Sequence, residues 1–264
     1  GDDRVDPILA YGLKGDFSSD HLNPSFEKLM KEYSKQIAYV VEHNLMGSQS
    51  IDHKWKAIEN NNITSVKSNT VAPLTTTTWN QWPLYNEQTP GDAPSGCVAA
   101  AMTQVMKYHN WPPTGIGNNT YTSDYGTHTV DFNQAVYRWD LMPDYLDTLT
   151  PQNQIDELAK LTYHAGVSVN MQYTPNNSGA YSEHVVYALE NYFKYSDEAS
   201  MLYKYYYTDQ EWKDIIKTEL DSQRVVYHAG FVNPDSGNVG HAFVVDGYDQ
   251  DEMFHVNWGW GGYY

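Results

Sequence analysis

Cysteine is the residue this chain all but lacks. Its 264 residues hold a single one, Cys97, which rules out an internal disulfide framework and any zinc site built on several thiolates. Basic side chains are the second shortage: 16 Lys and Arg stand against 33 Asp and Glu, a formal charge of −17. Such a chain repels phosphate backbones, which excludes nucleic acid as a natural partner. No apolar run approaches the ~18 residues of a spanning helix, so no membrane span is expected. There is no H-E-x-x-H pair, and the acidic stretch from Asp246 to Glu252 lacks the glycine placement of a calcium loop. No metal and no cofactor is therefore expected. The start, Gly1-Asp2-Asp3-Arg4, shows no apolar leader and gives no localisation by itself.

What is present suits a folded domain of some size. Apolar residues make up 41% and charged residues 19%, enough for a large core. Tyrosine (23) and tryptophan (8) outnumber phenylalanine (7), and such amphipathic rings serve wet clefts as well as cores.

The charge divides the chain. Residues 1–70 carry 8 basic and 10 acidic side chains (8 − 10 = −2), whereas residues 71–264 carry 8 and 23 (8 − 23 = −15). In the first part, Phe26, Leu29, Met30, Tyr33, Ile37, Val40 and Val41 form a stripe of helical period after Ser25, a candidate N-cap. Residues 60–78, polar and without a stripe, read as a linker and a site for proteolysis. The boundary is placed near Asn69, giving units 1–69 and 70–264.

The second unit begins with helices and ends with strands. Helical patterns cover Val98–His109, 153–165, 183–194 and 210–221, with Ser95 and Asp209 as candidate caps. Strand patterns follow at Val225–Phe231, His241–Tyr248 and Met253–Trp258. Helices grouped before strands indicate an α+β fold with an antiparallel sheet.

Cys97 lies at the start of a helix, where orphan N–H groups and the helix dipole favour a thiolate. A lone cysteine can equally be an inert buried side chain, and the residue type does not separate the two readings. A cysteine nucleophile needs a base, and the base an orienting group. If the last two strands form a hairpin centred on Asp249, His241 faces Asn257 and His255 faces Phe243 on the same side. Asn257 would then fix the tautomer of His241, with His255 a rival base deeper in the sheet. Trp258 either covers this pair or serves the core. The backbone N–H of Cys97 is one oxyanion donor, and Gln81 or Gln104 offers a side-chain amide as the second.

The blocks GCVAAAMTQVMKYHNWP (96–112) and GHAFVVDGYDQDEMFHVNWGWGG (240–262) resemble the streptopain family of papain-like cysteine peptidases. The likeness extends to Asn80-Gln81, to AGVSVNMQYTPNNSGA (165–180), and to DDRVDPILAYGLKGDF (2–17), which is similar to the end of the family's pro-segment. The resemblance implies a papain-like catalytic domain: a helical part with the nucleophile helix packed on an antiparallel sheet bearing His and Asn, preceded by a pro-segment. It implies Cys97 as nucleophile, His241 as general base and acid, Gln81 in the oxyanion hole, and Asn257 and Trp258 beside the histidine. Trp260, Gly240 and Gly96 would line the substrate cleft. The expected function is cysteine endopeptidase activity on proteins or peptides, with preference for an apolar side chain two residues before the scissile bond. Residues 1–69 would be an intramolecular inhibitor, the protein secreted or surface-bound in a bacterium, and the catalytic domain cut short at Tyr264. Two rival readings stay open on the residues: an amidase or acyltransferase of cell-wall components, and a non-catalytic, aromatic-rich binding module.

Overall fold

The computed structural model describes residues 2–9, 24–60, 70–231 and 240–262. Its packing divides the chain into two compact units, residues 1–68 and 69–262.

In the first unit, α1 spans Pro24–Glu42 and α2 spans Gln49–Glu59. Helix α1 begins at Pro24, so Ser25 lies inside it and is not the cap; a proline loses nothing in the first turn, where its missing N–H has no partner anyway. Phe26, Leu29, Tyr33, Ile37 and Val40 form its half-buried side, while Met30 and Val41 fall outside that side and are exposed. Helix α2 escaped the sequence pattern. Its N-cap is Ser48, whose hydroxyl accepts from the N–H of Ile51, and its Trp55 indole donates to the Val5 carbonyl at 2.9 Å.

The second unit opens with a segment expected to be linker. Residues 61–69 of that linker lie outside the described residues, but 70–78 are bound into the fold. Val71 and Tyr248 exchange backbone hydrogen bonds at 3.0 and 2.9 Å, and the Leu74 N–H donates to the Asp246 carbonyl at 2.9 Å. Helix α3 (Cys97–His109) follows, then a hairpin of β1 (Asn118–Ser123) and β2 (Gly126–Asp131) that the sequence reading missed. Next come α4 (Gln152–Ser168), α5 (His184–Phe193) and α6 (Asp209–Asp221). The cap of α6 is Thr208, not Asp209: the Thr208 hydroxyl and the Glu211 carboxylate satisfy each other's backbone N–H groups in a capping box. The chain then forms the antiparallel sheet of β3 (Val226–Phe231), β4 (Gly240–Tyr248) and β5 (Phe254–Asn257), in the order β3-β4-β5.

The central strand β4 has two different neighbours. Ala242 and Val244 join the main core with Val98, Ala101, Met102 and Val105 of α3. Phe243 and Val245 pack instead with Ile216, Leu220 and Trp212 of α6. Alternation along an extended strand produces this two-faced burial. The α+β, papain-like arrangement is thus an α3 layer, a small sheet and an α6 layer.

Candidate active site

Gly96 sets the geometry around the sulfur. It precedes α3 with φ 87 and ψ 146, and a Cβ there would lie 2.8 Å from the Met171 sulfur and 3.0 Å from the Ser178 carbonyl oxygen. Only glycine adopts this conformation cheaply in so tight a space. Ser95 is not the helix cap: its N–H and hydroxyl both donate to the Gln81 carbonyl, at 3.0 and 3.3 Å. That pair of bonds fastens Gln81 beside the start of α3. The side-chain amide of Gln81 forms no hydrogen bond with the described residues, which leaves its N–H groups available.

Cys97 is half-buried in the first turn of α3. Burial pushes its thiol pKa up, and the backbone N–H groups of Ala242, Val98 and Cys97 itself partly oppose that shift. The contact with Ala242 places the sulfur against β4, one residue from His241. Alternation nevertheless points His241 away. Ala242 faces α3, so His241 lies on the α6 side with Phe243. Its ring stacks within a run of aromatics, 6.2 Å from Phe243, 6.0 Å from Trp258 and 4.7 Å from Trp260, centroid to centroid. No hydrogen bond joins Cys97 to His241. Burial pulls the imidazole pKa down to about 4, against the raising effect of its bond to Trp258. Thiol and imidazole are therefore both neutral near pH 7 in this state.

The hairpin that was to pair His241 with Asn257 closes differently. Its turn is centred two residues further on, because the Asp249 carboxylate accepts from the N–H groups of Asp251 and Met253, each at 2.9 Å. Tyr248 then faces Phe254 and Gly247 faces His255, before a bulge at Asp246 shifts the register. Val245 faces Val256, and Asn257 faces Val244 instead of His241. The acceptor for the imidazole is a backbone group, the Trp258 carbonyl, 2.8 Å from His241 Nε2. Asn257 is engaged elsewhere: its amide nitrogen donates to the Thr77 carbonyl at 2.7 Å and to the Thr75 hydroxyl at 3.3 Å. Its oxygen accepts from the Gly259 N–H at 3.2 Å.

The remaining candidates are placed as follows. His255, the rival base, is bound through Nδ1 to the Asp246 carboxylate at 2.5 Å and does not reach Cys97. Gln104 is fully buried; its oxygen accepts from the Thr77 hydroxyl at 2.9 Å, and its nitrogen, though unpartnered, is enclosed in the core and does not face a substrate. Trp260 is only 2% exposed and lies on His241 instead of on an open wall. Gly240 starts β4, where a Cβ would come within 2.8 Å of the Phe231 ring. Sequence reasoning missed Thr75, Thr77 and Asp246, all hydrogen-bonded around the site. The threonines sit in a polar run that read as linker, and Asp246 in an acidic stretch weighed only as a calcium loop. Among the described residues, no group of His, Cys, Asp and Glu side chains is arranged to hold a metal ion.

A cysteine at a helix start against a strand bearing His, beside a bound glutamine, is a cysteine-peptidase layout. The family model for the peptidase C10 family matches residues 79–264. The chain belongs to the peptidase C10 family. Among its relatives, streptopain of Streptococcus pyogenes is 30% identical over 99% of this chain and 68% of that protein. The thiol protease/hemagglutinin PrtT of Porphyromonas gingivalis is 32% identical over 99% of this chain, which spans only 31% of that longer protein. Two solved structures share the fold. The active wild-type interpain A cysteine protease of Prevotella intermedia superposes with TM-score 0.69 at 36% identity, covering 73% of this chain and 83% of that one. A prointerpain A fragment, mutated from cysteine to alanine, gives TM-score 0.73 at 31% identity, covering 93% of this chain and 76% of that one. The C10 chain is a cysteine-type endopeptidase with a papain-like catalytic fold, related to bacterial proteases. No helix among its described residues is long and apolar enough to cross a membrane.

Proposed function

We propose that this peptidase is a secreted or cell-surface proenzyme in which residues 1–69 are a pro-segment and intramolecular inhibitor, and residues 70–264 are the catalytic domain. The pro-form relative covers 93% of the chain and the active enzyme 73%, a difference that supports the assignment. The observation that carries the catalytic reading is the seat of Cys97: the first turn of α3, against the residue that follows His241.

In this reading the separated thiol and imidazole are the latent arrangement, and activation brings His241 round to the sulfur. The Trp258 carbonyl holds Nε2–H, which leaves Nδ1 as the base that takes the thiol proton. The thiolate attacks the scissile carbonyl carbon, and the oxyanion that forms accepts from the Cys97 N–H and the Gln81 amide. Collapse breaks the C–N bond, with the imidazolium giving its proton to the leaving amine. Water then loses a proton to His241 and adds to the thioester; expulsion of the thiolate releases the carboxylate product. Substrates are proteins or peptides, with an apolar side chain preferred two residues before the cut.

The test is intact mass and casein hydrolysis before and after incubation, with iodoacetamide labelling of each form. The expected result is loss of a segment ending near Asn69, a rise in hydrolysis, and much faster labelling of the processed form. Full hydrolysis by processed Cys97→Ala would overturn the reading.

A further inference from the structure

Beside the proposed chemistry lies a connected network of side chains that it does not use. Asp246, at the bulge of β4, is fully buried. A carboxylate in such a place must be matched by donors, and it is. One oxygen accepts from the N–H and hydroxyl of Thr75, at 2.9 and 2.5 Å, and the other from His255 Nδ1 at 2.5 Å.

This arrangement sets the direction of every bond that follows. The Thr75 hydroxyl has a single proton, which goes to Asp246, so towards Asn257 it can only accept. The nearby Thr77 carbonyl also only accepts. The nitrogen of the Asn257 amide must therefore face both threonines, and its oxygen must face the Gly259 N–H at 3.2 Å. That N–H and the Trp258 carbonyl belong to the same planar peptide unit. Holding one end of the plane fixes the other, and the other end holds His241 Nε2 at 2.8 Å.

We propose that Thr75 and Asp246 are positioning residues of the peptidase. Through Asn257 they lock the 258–259 peptide plane, and the plane sets the tautomer and angle of the His241 imidazole. The assignment rests on His241 being the general base. It also gives Asn257 its role: orienting the peptide that orients the histidine, with no direct bond to the ring. Outer partners that orient a metal's ligands cost ~10- to 100-fold in activity when lost, and Thr75, linked to the imidazole through three hydrogen bonds, is expected at the low end of that range.

The experiment uses the processed enzyme and compares Thr75→Val, which keeps the shape and removes the hydroxyl, with Thr75→Ser, which keeps the hydroxyl. Thr75→Val is expected to lower kcat by about 10-fold with KM within about twofold, and Thr75→Ser to restore most of it. Combined with Asn257→Ala, Thr75→Val should add little further loss, since both act through one peptide plane. A kcat change in Thr75→Val below about threefold, a change confined to KM, or full additivity with Asn257→Ala would overturn the proposal. If Thr75→Val does not fold, Thr75→Ala repeats the comparison; if neither folds, the hydroxyl serves stability alone and the proposal falls. Processed Cys97→Ala separates the two claims. Its inactivity together with an unimpaired Thr75→Val would sink the positioning role and leave the catalytic reading standing.

Discussion

Gly96 shows how one residue without a side chain can decide the chemistry of the next. Its backbone turns at φ 87 so that Cys97 begins α3, and Met171 and Ser178 close over the space where a Cβ would stand. Substitution by alanine forces a left-handed conformation on a branched Cα and presses it into the Met171 sulfur. The expected cost for Gly96→Ala is about 2–4 kcal/mol, read as a lower thermal midpoint. The same change shifts Cys97, so iodoacetamide should label the processed variant more slowly than its parent at equal pH. Unchanged stability and labelling would mean that Met171 gives way and that the glycine is not required.

At the scale of elements, local signals were legible where one side chain answers to its own turn or helix. The apolar stripes of α4 to α6 stood out because each buries one face, whereas α3 is buried on every side from Val98 to Met106. The cap of α6 was misread by one residue: Asp209 is a good capping type, but Thr208 stands three before Glu211, and the reciprocal box forms there. Thr208→Ala should therefore destabilise the catalytic unit by about 1 kcal/mol, visible as a midpoint lower by a few degrees, whereas Asp209→Ala should cost much less. Equal effects of the two would refute the box. Helix α2 and the β1–β2 hairpin carried weaker patterns, half exposed and rich in polar residues, and went unseen. The parity argument for His241 and Asn257 failed because a carboxylate, Asp249, lengthens the turn and another, Asp246, inserts a bulge. Neither is visible to an alternation count, since each depends on partners: local N–H groups for the first, and Thr75, 171 residues away in sequence, for the second. Of the candidates, Cys97 stood out by scarcity and by its place at a helix start, whereas Gln81 and His241, one among several glutamines and one of ten histidines, were singled out by the resemblance. Their relation to one another was not readable, since it depends on which face of β4 meets α3.

For the molecule as a whole, buried imidazoles make acid the weak side. His241 under its indoles and His164, half-buried beside Phe132 and Tyr137, both have pKa values pulled down to about 4, mainly by burial. In the unfolded chain each titrates near 6.5, so between about 6.5 and 4 the unfolded state binds more protons than the folded one. The stability they contribute is therefore complete above about pH 6.5 and is lost as pH falls through the window towards 4. Each pKa unit is worth about 1.4 kcal/mol, so the two rings together withdraw several kcal/mol at the acid end. The thermal midpoint should drop by roughly 10 °C between pH 7 and pH 4.5. His164→Gln, which keeps a polar contact for the Tyr137 hydroxyl, should flatten the slope by about one proton across that range. A midpoint independent of pH over the window would mean that these rings are hydrated in solution, and with that the latent, desolvated setting of His241 would fail. If the slope is present and shrinks on removal of residues 1–69, the imidazole has turned to a wetter setting about its Nε2 bond to the Trp258 carbonyl, as swinging Nδ1 towards Cys97 requires.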